Sequence, residues 1–221
     1  YTSSSEKHQI ESYLKNGKTM LSITPLVVDP SYTRVLIDSK VTIDAKKVAA
    51  DTGSITQKIN DAVYTYINNL HLTGGVFRIG EVTGVITDSV YGIVSNDTNI
   101  KLQQSVPVVI GVSAIYEQNV ENSISTAEGA VTSNKFALHG SDKWNVIKSN
   151  NRGELILYVL ENNGLPSSSS TIGRVDHAGG IISMNSVIIT KTDSPDNNLI
   201  WTIQTSSRDI SPIKNMILTT D

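Results

Sequence analysis

Few side chains in this chain could do chemistry. The four histidines, His8, His71, His139 and His177, are the candidates for acid–base work or metal binding. None stands at a metal-ligand spacing from another histidine or from a carboxylate. His71 falls at the end of a helical pattern, where a cation complements the helix dipole. Asp176-His177, in the run Arg174-Val175-Asp176-His177-Ala178-Gly179-Gly180, is the one carboxylate–imidazole pair that could serve as an oriented base. No Gly-x-Ser-x-Gly elbow or other activated nucleophile accompanies it. Gly179-Gly180 there marks a strand–turn–strand corner that needs positive φ. Neither Gly74-Gly75 nor the Gly173–Gly180 stretch carries Gly-x-Gly-x-x-Gly or a P-loop lysine, so no phosphate cradle is expected. The run Asp193-Ser194-Pro195-Asp196-Asn197-Asn198 is rich in oxygen but does not match a calcium loop, and reads as a turn. Asn96-Asp97-Thr98 is a formal glycosylation sequon, with no secretory context to give it meaning. The absence of cysteine excludes disulfides and thiolate metal sites. The expectation is a non-enzyme with no catalytic, cofactor-binding or metal residues, no cofactor and no small-molecule substrate.

Composition narrows the partners. Eighteen Lys+Arg stand against 21 Asp+Glu, for a net charge of −3, without a basic block. A nucleic-acid backbone is therefore not an expected partner. No apolar run approaches the roughly 20 residues that span a bilayer, so no membrane is expected either. Aromatics make up only 5% while Ser, Thr and Asn abound, which suits a β-rich protein with polar turns better than a ring-lined ligand pocket. A length of 221 residues favours two compact units. The chain opens at Tyr1 with neither Met nor a signal-peptide apolar stretch, and reads as a fragment of something longer.

The elements follow from hydrophobic period. Residues 5–15 read as a short helix whose apolar stripe is Ile10, Tyr13 and Leu14, with Asn16-Gly17 as its stop. Met20 to Val28 reads as a strand interrupted by Pro25, and Asp29-Pro30-Ser31 as a turn. Over 33–44, Val35, Ile37, Val41 and Ile43 alternate with Arg34, Asp38, Lys40, Thr42 and Asp44, which predicts a half-buried strand. After Gly53 the period changes: Ile55, Ile59, Ala62, Val63, Tyr66, Ile67 and Leu70 predict a helix packed on the same sheet. Gly74-Gly75 ends it. A second helix is expected over 78–90, weakened by Gly80 and Gly84, and a strand over 91–103 with a turn signal at Ser95-Asn96-Asp97. Residues 1–105 thus form a small β-α-α-β two-layer domain. From 106 the pattern is β-rich: a long polar loop at about 117–134, then strands at 154–160, 171–176, 180–190 and 199–205, with Ser167–Ser170 read as a flexible loop. The fold class is α+β, with the two-layer domain followed by a β-rich domain over 106–221.

The segments 180–190 and 199–205 contain more apolar residues than one sheet face would bury. A surplus face needs a cover, and a symmetry mate is the commonest one. Val187, Ile189, Leu199, Trp201 and Ile203 are therefore the candidate interface of a two-fold dimer, with Trp201 as a possible anchor. The alternative is that the two halves of the chain cover each other.

The order of these motifs resembles the baseplate-J-like family of contractile phage tails, and within it the large wedge proteins of T-even-type phages. In the pattern V-x-x-P-x-Y-x-x-V-x-V, Val27, Pro30, Tyr32, Val35 and Ile37 match or nearly match. The family's helix, Gly-Gly, short helix and final strand correspond to 55–70, Gly74-Gly75, 78–90 and 91–103, although Gly80 and Gly84 in the short helix depart from the pattern. Ile172 to Ile182 looks like the I-G-x-I-D-x-x-x-G-x-I turn of tail baseplate proteins, and the polar second half is similar to the wedge protein's β-structured extension. The resemblance implies a structural virion protein of the tail baseplate, assembled in the host cytoplasm. It would dimerise, bind other wedge proteins, join wedges into a ring and transmit the rearrangement that triggers sheath contraction. A rival of another class is a receptor- or carbohydrate-binding tail module, which would need a cluster of exposed aromatic side chains.

Overall fold

A computed structural model of the protein describes residues 4–15, 31–47, 51–73, 76–161, 166–207, 209–210 and 216–219. The strand expected over Met20–Val28 and the Gly74-Gly75 break lie outside these residues. Helix α1 spans Ser4–Lys15. Strand β1 (Ser31–Ile43) follows the period-2 pattern: Thr33 and Val35 are buried and Ile37, Val41 and Ile43 half-buried, while Arg34, Asp38, Lys40 and Thr42 are exposed. Helix α2 (Thr52–Thr73) takes over at the change of period; at its start, the Asp51 carboxylate accepts from the Ser54 amide at 2.7 Å. The two-residue strand β2 (Phe77–Arg78) leads into helix α3 (Ile79–Ser89), whose Val82 and Ile86 face inward.

Strand β3 (Ile93–Pro107) runs straight through Ser95-Asn96-Asp97, where a turn was expected. Those residues pair with Thr42, Val41 and Lys40 of β1, and the only irregularity is a register shift between Thr42 and Ile43. The Asn96 amide that would have closed a turn instead donates to the Thr83 carbonyl at 2.9 Å and the Thr87 hydroxyl at 3.1 Å, tying β3 to α3.

The rest of the chain is strand after strand: β4 (Ser113–Asn119), β5 (Val131–Ser133), β6 (Phe136–Leu138), β7 (Asn145–Ser149), β8 (Glu154–Leu160), β9 (Pro166–Asp176), β10 (Ile181–Thr192), β11 (Asn198–Ile203), β12 (Asp209–Ile210) and β13 (Met216–Thr219). Two expectations are corrected here. The polar loop is shorter than 117–134, because β4 holds its first residues and β5 its last; within it Val120, Ile124 and Ala130 are buried, and Ile124 bridges to Thr205. The serine tract Ser167–Ser170 belongs to β9 and pairs with Leu157, Tyr158 and Val159 of β8. The ladder uses main-chain groups, so hydroxyl side chains do not forbid it once an apolar neighbour such as β8 fixes the register.

Among the described residues, three helices and a 48% share of strand make a mixed α+β fold in which the sheet, not the helices, carries the core. The strand order is β13-β1-β3-β11-β5-β7-β6-β10-β9-β8, and β8 pairs back to β7, so this end of the sheet closes in a barrel-like way. β3 pairs with β1 on one edge and with β11 on the other, so the sheet crosses residue 105 without a break. Gly173 allows β9 and β10 to come close: a Cβ there would lie 2.3 Å from the Ser183 carbonyl oxygen. One apolar cluster runs through the sheet, with Trp201, Phe136, Leu102, Ile147, Leu155 and Ile182 among its fully buried members.

The helix layer is looser than the period implies. α2 packs on α3, and α3 on β3. Between α2 and β1, however, a groove of about 840 Å³ remains, with Ile37 and Val41 on the strand side and Ile59 and Val63 on the helix side.

Candidate functional site: the β4 edge and its apolar turn

Of the side chains that could have done chemistry, Asp176 is engaged in holding a turn. At the corner between β9 and β10, Asp176 Oδ1 accepts from the amides of Ala178 at 3.1 Å and Gly179 at 3.0 Å. This is the short-range bonding by which Asp stabilises a turn. Gly179 lies so close that a Cβ would sit 2.5 Å from Asp176 Oδ2, and Gly180 has φ +68°. The carboxylate is thus turned to the main chain and does not orient His177. Both ring nitrogens of His177 are buried without a hydrogen-bond partner, and the ring lies against Gly153, where a Cβ would meet Nε2 at 3.4 Å. No base–nucleophile pair is assembled at this corner.

The other candidates are equally local. His8 Nδ1 meets Glu11 Oε2 at 3.2 Å across one turn of α1. His71 sits in the last turn of α2, and His139 is exposed. The Asp193–Asn198 run is a turn clamped from outside: Asn134 Nδ2 donates to Asp193 Oδ1 at 2.7 Å and to the Asn198 carbonyl at 3.2 Å, while its Oδ1 accepts the Ile200 amide at 2.9 Å. Asn134 is a residue the sequence pattern did not single out. Among the described residues no group of three or more His, Asp or Glu could hold a metal ion, and no helix is long and apolar enough to cross a membrane.

The expected dimer residues are placed elsewhere than at a surface. Ile189, Leu199 and Ile203 are 0% exposed and Trp201 is 1% exposed; Val187 is half-buried. The cause is topological. β11 has β3 on one edge and β5 on the other, and β10 pairs with β9, β4 and β6, so the apolar surplus fills the interior of the single chain. The premise of an uncovered face on these strands is therefore corrected. Trp144, the other tryptophan, is half-buried with Lys191 Nζ 4.5 Å from its ring centroid, a cation–π contact.

The exposed apolar side chains gather instead around β4. In the connection from β3 and in β4 itself, Val109 is 62% exposed, Val112 51% and Ile115 72%, with Ile110 just past one-third. The connection is pinned: Gly111, at φ +77°, donates its amide to the Ile189 carbonyl at 2.8 Å. β4 pairs with β10 along one edge, Tyr116 opposite Met184 and Ala114 opposite Val187. Among the described residues no strand pairs with its other edge. Alternation then sends Ser113, Ile115, Glu117 and Asn119 outward and Ala114, Tyr116 and Gln118 inward.

The inward row fixes the strand. Gln118 Nε2 donates to Gln104 Oε1 at 2.9 Å, and Gln104 Nε2 donates to Thr33 Oγ1 at 2.8 Å, so a polar chain runs from β4 through β3 to β1. Tyr116 is buried with its hydroxyl unpartnered, and that burial pushes its phenol upward. A rigid strand with one open edge and an apolar outward row can hold another polypeptide by main-chain pairing and side-chain burial together. The sequence signal was the run Val108-Val109-Ile110-Gly111-Val112 at a position where a turn must lie on the surface. No protein-family model matches the chain, and no curated protein sequence matches it.

Proposed function

We propose that this chain is a non-catalytic structural protein that works by self-association through the open edge of β4. The observation that carries the reading is the coincidence of that edge with the exposed row Val109, Ile110, Val112 and Ile115. Monomers blunt their edge strands with charge, proline or cover. Here the outward row of β4 offers one charge, Glu117, and the neighbouring turn is apolar.

The motif Val27, Pro30, Tyr32, Val35 and Ile37, followed by two helices and a strand, supports a more specific assignment. On that reading the chain is an α+β unit over 1–105 followed by a β-rich unit over 106–221 in a contractile phage tail baseplate. It joins wedges into a ring and transmits the rearrangement that triggers sheath contraction. Its partners are a second copy of itself and other baseplate wedge proteins, its place is the virion, and it is assembled in the host cytoplasm. The rival receptor- or carbohydrate-binding module would need grouped aromatic rings, whereas among the described residues the exposed tyrosines Tyr13, Tyr64 and Tyr91 stand on three separate segments.

Light scattering decides the self-association. The parent is expected at the mass of a dimer, and the double variant Val112→Asp, Ile115→Asp at that of a monomer with unchanged circular dichroism, because an interface of at least ~1,000 Å² cannot bury two unpaired carboxylates. A parent that stays monomeric at high concentration, or a double variant that dimerises as well as the parent, overturns the reading.

A further inference from the structure

We propose that the groove between β1 and α2 is the seat of the chain's own α1, inserted through the stripe Ile10, Tyr13 and Leu14. This inference does not rest on self-association.

Among the described residues two apolar surfaces stand without a cover, and each fits the other. α1 is 12 residues long, at the lower limit of what holds as a helix in water without packing. Ile10 is 44% exposed and Tyr13 67%, and no residue of α1 is among those lining the groove. Ile10 and Tyr13 are three apart and Ile10 and Leu14 four apart, so they share one face. The groove offers the complementary shape. Its deep residues Val35, Ile55 and Ile86 are buried, and its walls are half-buried aliphatic side chains. At about 840 Å³ it admits a row of three large side chains, and the polar residues Asp38, Asn60 and Asp61 line it as well. Laying an amphipathic helix into an apolar groove, anchored at i, i+3 and i+4, is a recurrent recognition mode.

The tether selects the occupant. Residues 16–30 connect α1 to β1, and that length of chain reaches at most ~50 Å. β1, at 13 residues, is about 43 Å long, so α1 reaches every part of the groove beside it. A helix covalently joined within reach of its site binds it intramolecularly, at an effective concentration that does not fall on dilution as that of a second copy does. The chain's own α1 therefore outcompetes an α1 from another molecule or any other apolar helix.

The chain has no cysteine, so introduced thiols report without background. Gln9→Cys, beside the stripe, is combined in the full-length chain with Asn60→Cys on α2, and separately with Asp38→Cys on β1, covering both orientations of the helix. The control combines Gln9→Cys with Arg152→Cys on the exposed turn between β7 and β8. Under mild oxidation at low protein concentration, at least one groove pair is expected to close an intramolecular disulfide at least about tenfold faster than the control. Adding Ile10→Asp should bring that rate down to the control's. Rates equal to the control for both groove pairs, or disulfides formed only between molecules, overturn the proposal. Because the product is an intramolecular bond read at dilution, its failure is distinct from a failure of the β4-mediated dimer.

Discussion

The barrel-like end of the sheet and its helix-covered end are made from similar apolar strands and bury them differently. In β6 to β11, Phe136, Ile147, Leu155, Ile182, Ile189, Leu199 and Ile203 all stand at 1% exposure or less. In β1 the inward row is buried at Thr33 and Val35 but only half-buried at Ile37, Val41 and Ile43. A sheet that curls until β8 meets β7 covers its own inner face, whereas an open sheet depends on a second layer. That second layer packs α2 against α3 and leaves a groove beside β1. α2 is held to α3 and β2 by Tyr66, whose ring meets Phe77 edge-on at 6.3 Å and whose hydroxyl donates to Glu81 at 2.8 Å, and the groove to β1 stays open. Whether an apolar strand has a surplus face thus depends on closure, which no single strand encodes.

The sharpest test of the contrast is a large-to-small change on each side. Trp201→Ala removes the largest fully buried side chain, from a strand paired on both edges, and is expected to cost about 3–5 kcal/mol in urea or guanidinium unfolding. A loss below ~2 kcal/mol would mean that the barrel-like end repacks as freely as the helix layer. Ile59→Asp, on the groove wall, should cost less, about 1–2 kcal/mol, because its carboxylate can turn to the open side; α1 seated in the groove would place it at the upper end of that range. Equal losses for the two variants would erase the difference between the regions.

Period and turn chemistry were legible in the residues before any coordinates. The alternation at 33–44 and the change of period after Gly53 located β1 and α2, the run Glu154–Leu160 matched β8, and Gly179-Gly180 marked the β9–β10 corner. What stayed hidden was set by partners distant in sequence. The three-residue strands β5 and β6 carry too few residues for a period and exist because β11 and β10 pair with them. Ser167–Ser170 is strand because β8 lies beside it. Trp201 and Ile203 were placed at a surface because the closure that buries them is invisible in 199–205 alone. The open edge of β4 was hidden for the same reason, since an edge is defined by the strand that is missing beside it.

The smallest expected effect concerns the joint that holds α2 to α3. Burial, and then the hydrogen bond to Glu81, push the Tyr66 phenol up to about 12, against about 10 for a free tyrosine. A raised pKa in the folded state means that the neutral phenol is favoured by folding. That contribution is whole below pH ~10, where the unfolded chain also keeps its proton, and it drains away as pH rises through 12. Unfolding midpoints of the parent should therefore fall between pH ~10 and ~12. Tyr66→Phe keeps the ring against Phe77 but removes the proton and its bond to Glu81. It should lose less than about 1 kcal/mol near neutrality, as expected for one partly exposed hydrogen bond, and then show a shallower fall above pH 10. Tyr116, also raised by burial, titrates in both proteins and cancels in the comparison. Parallel curves for parent and variant over that window would mean that Tyr66 does not hold the joint, and that the groove between α2 and β1 stays open for another reason.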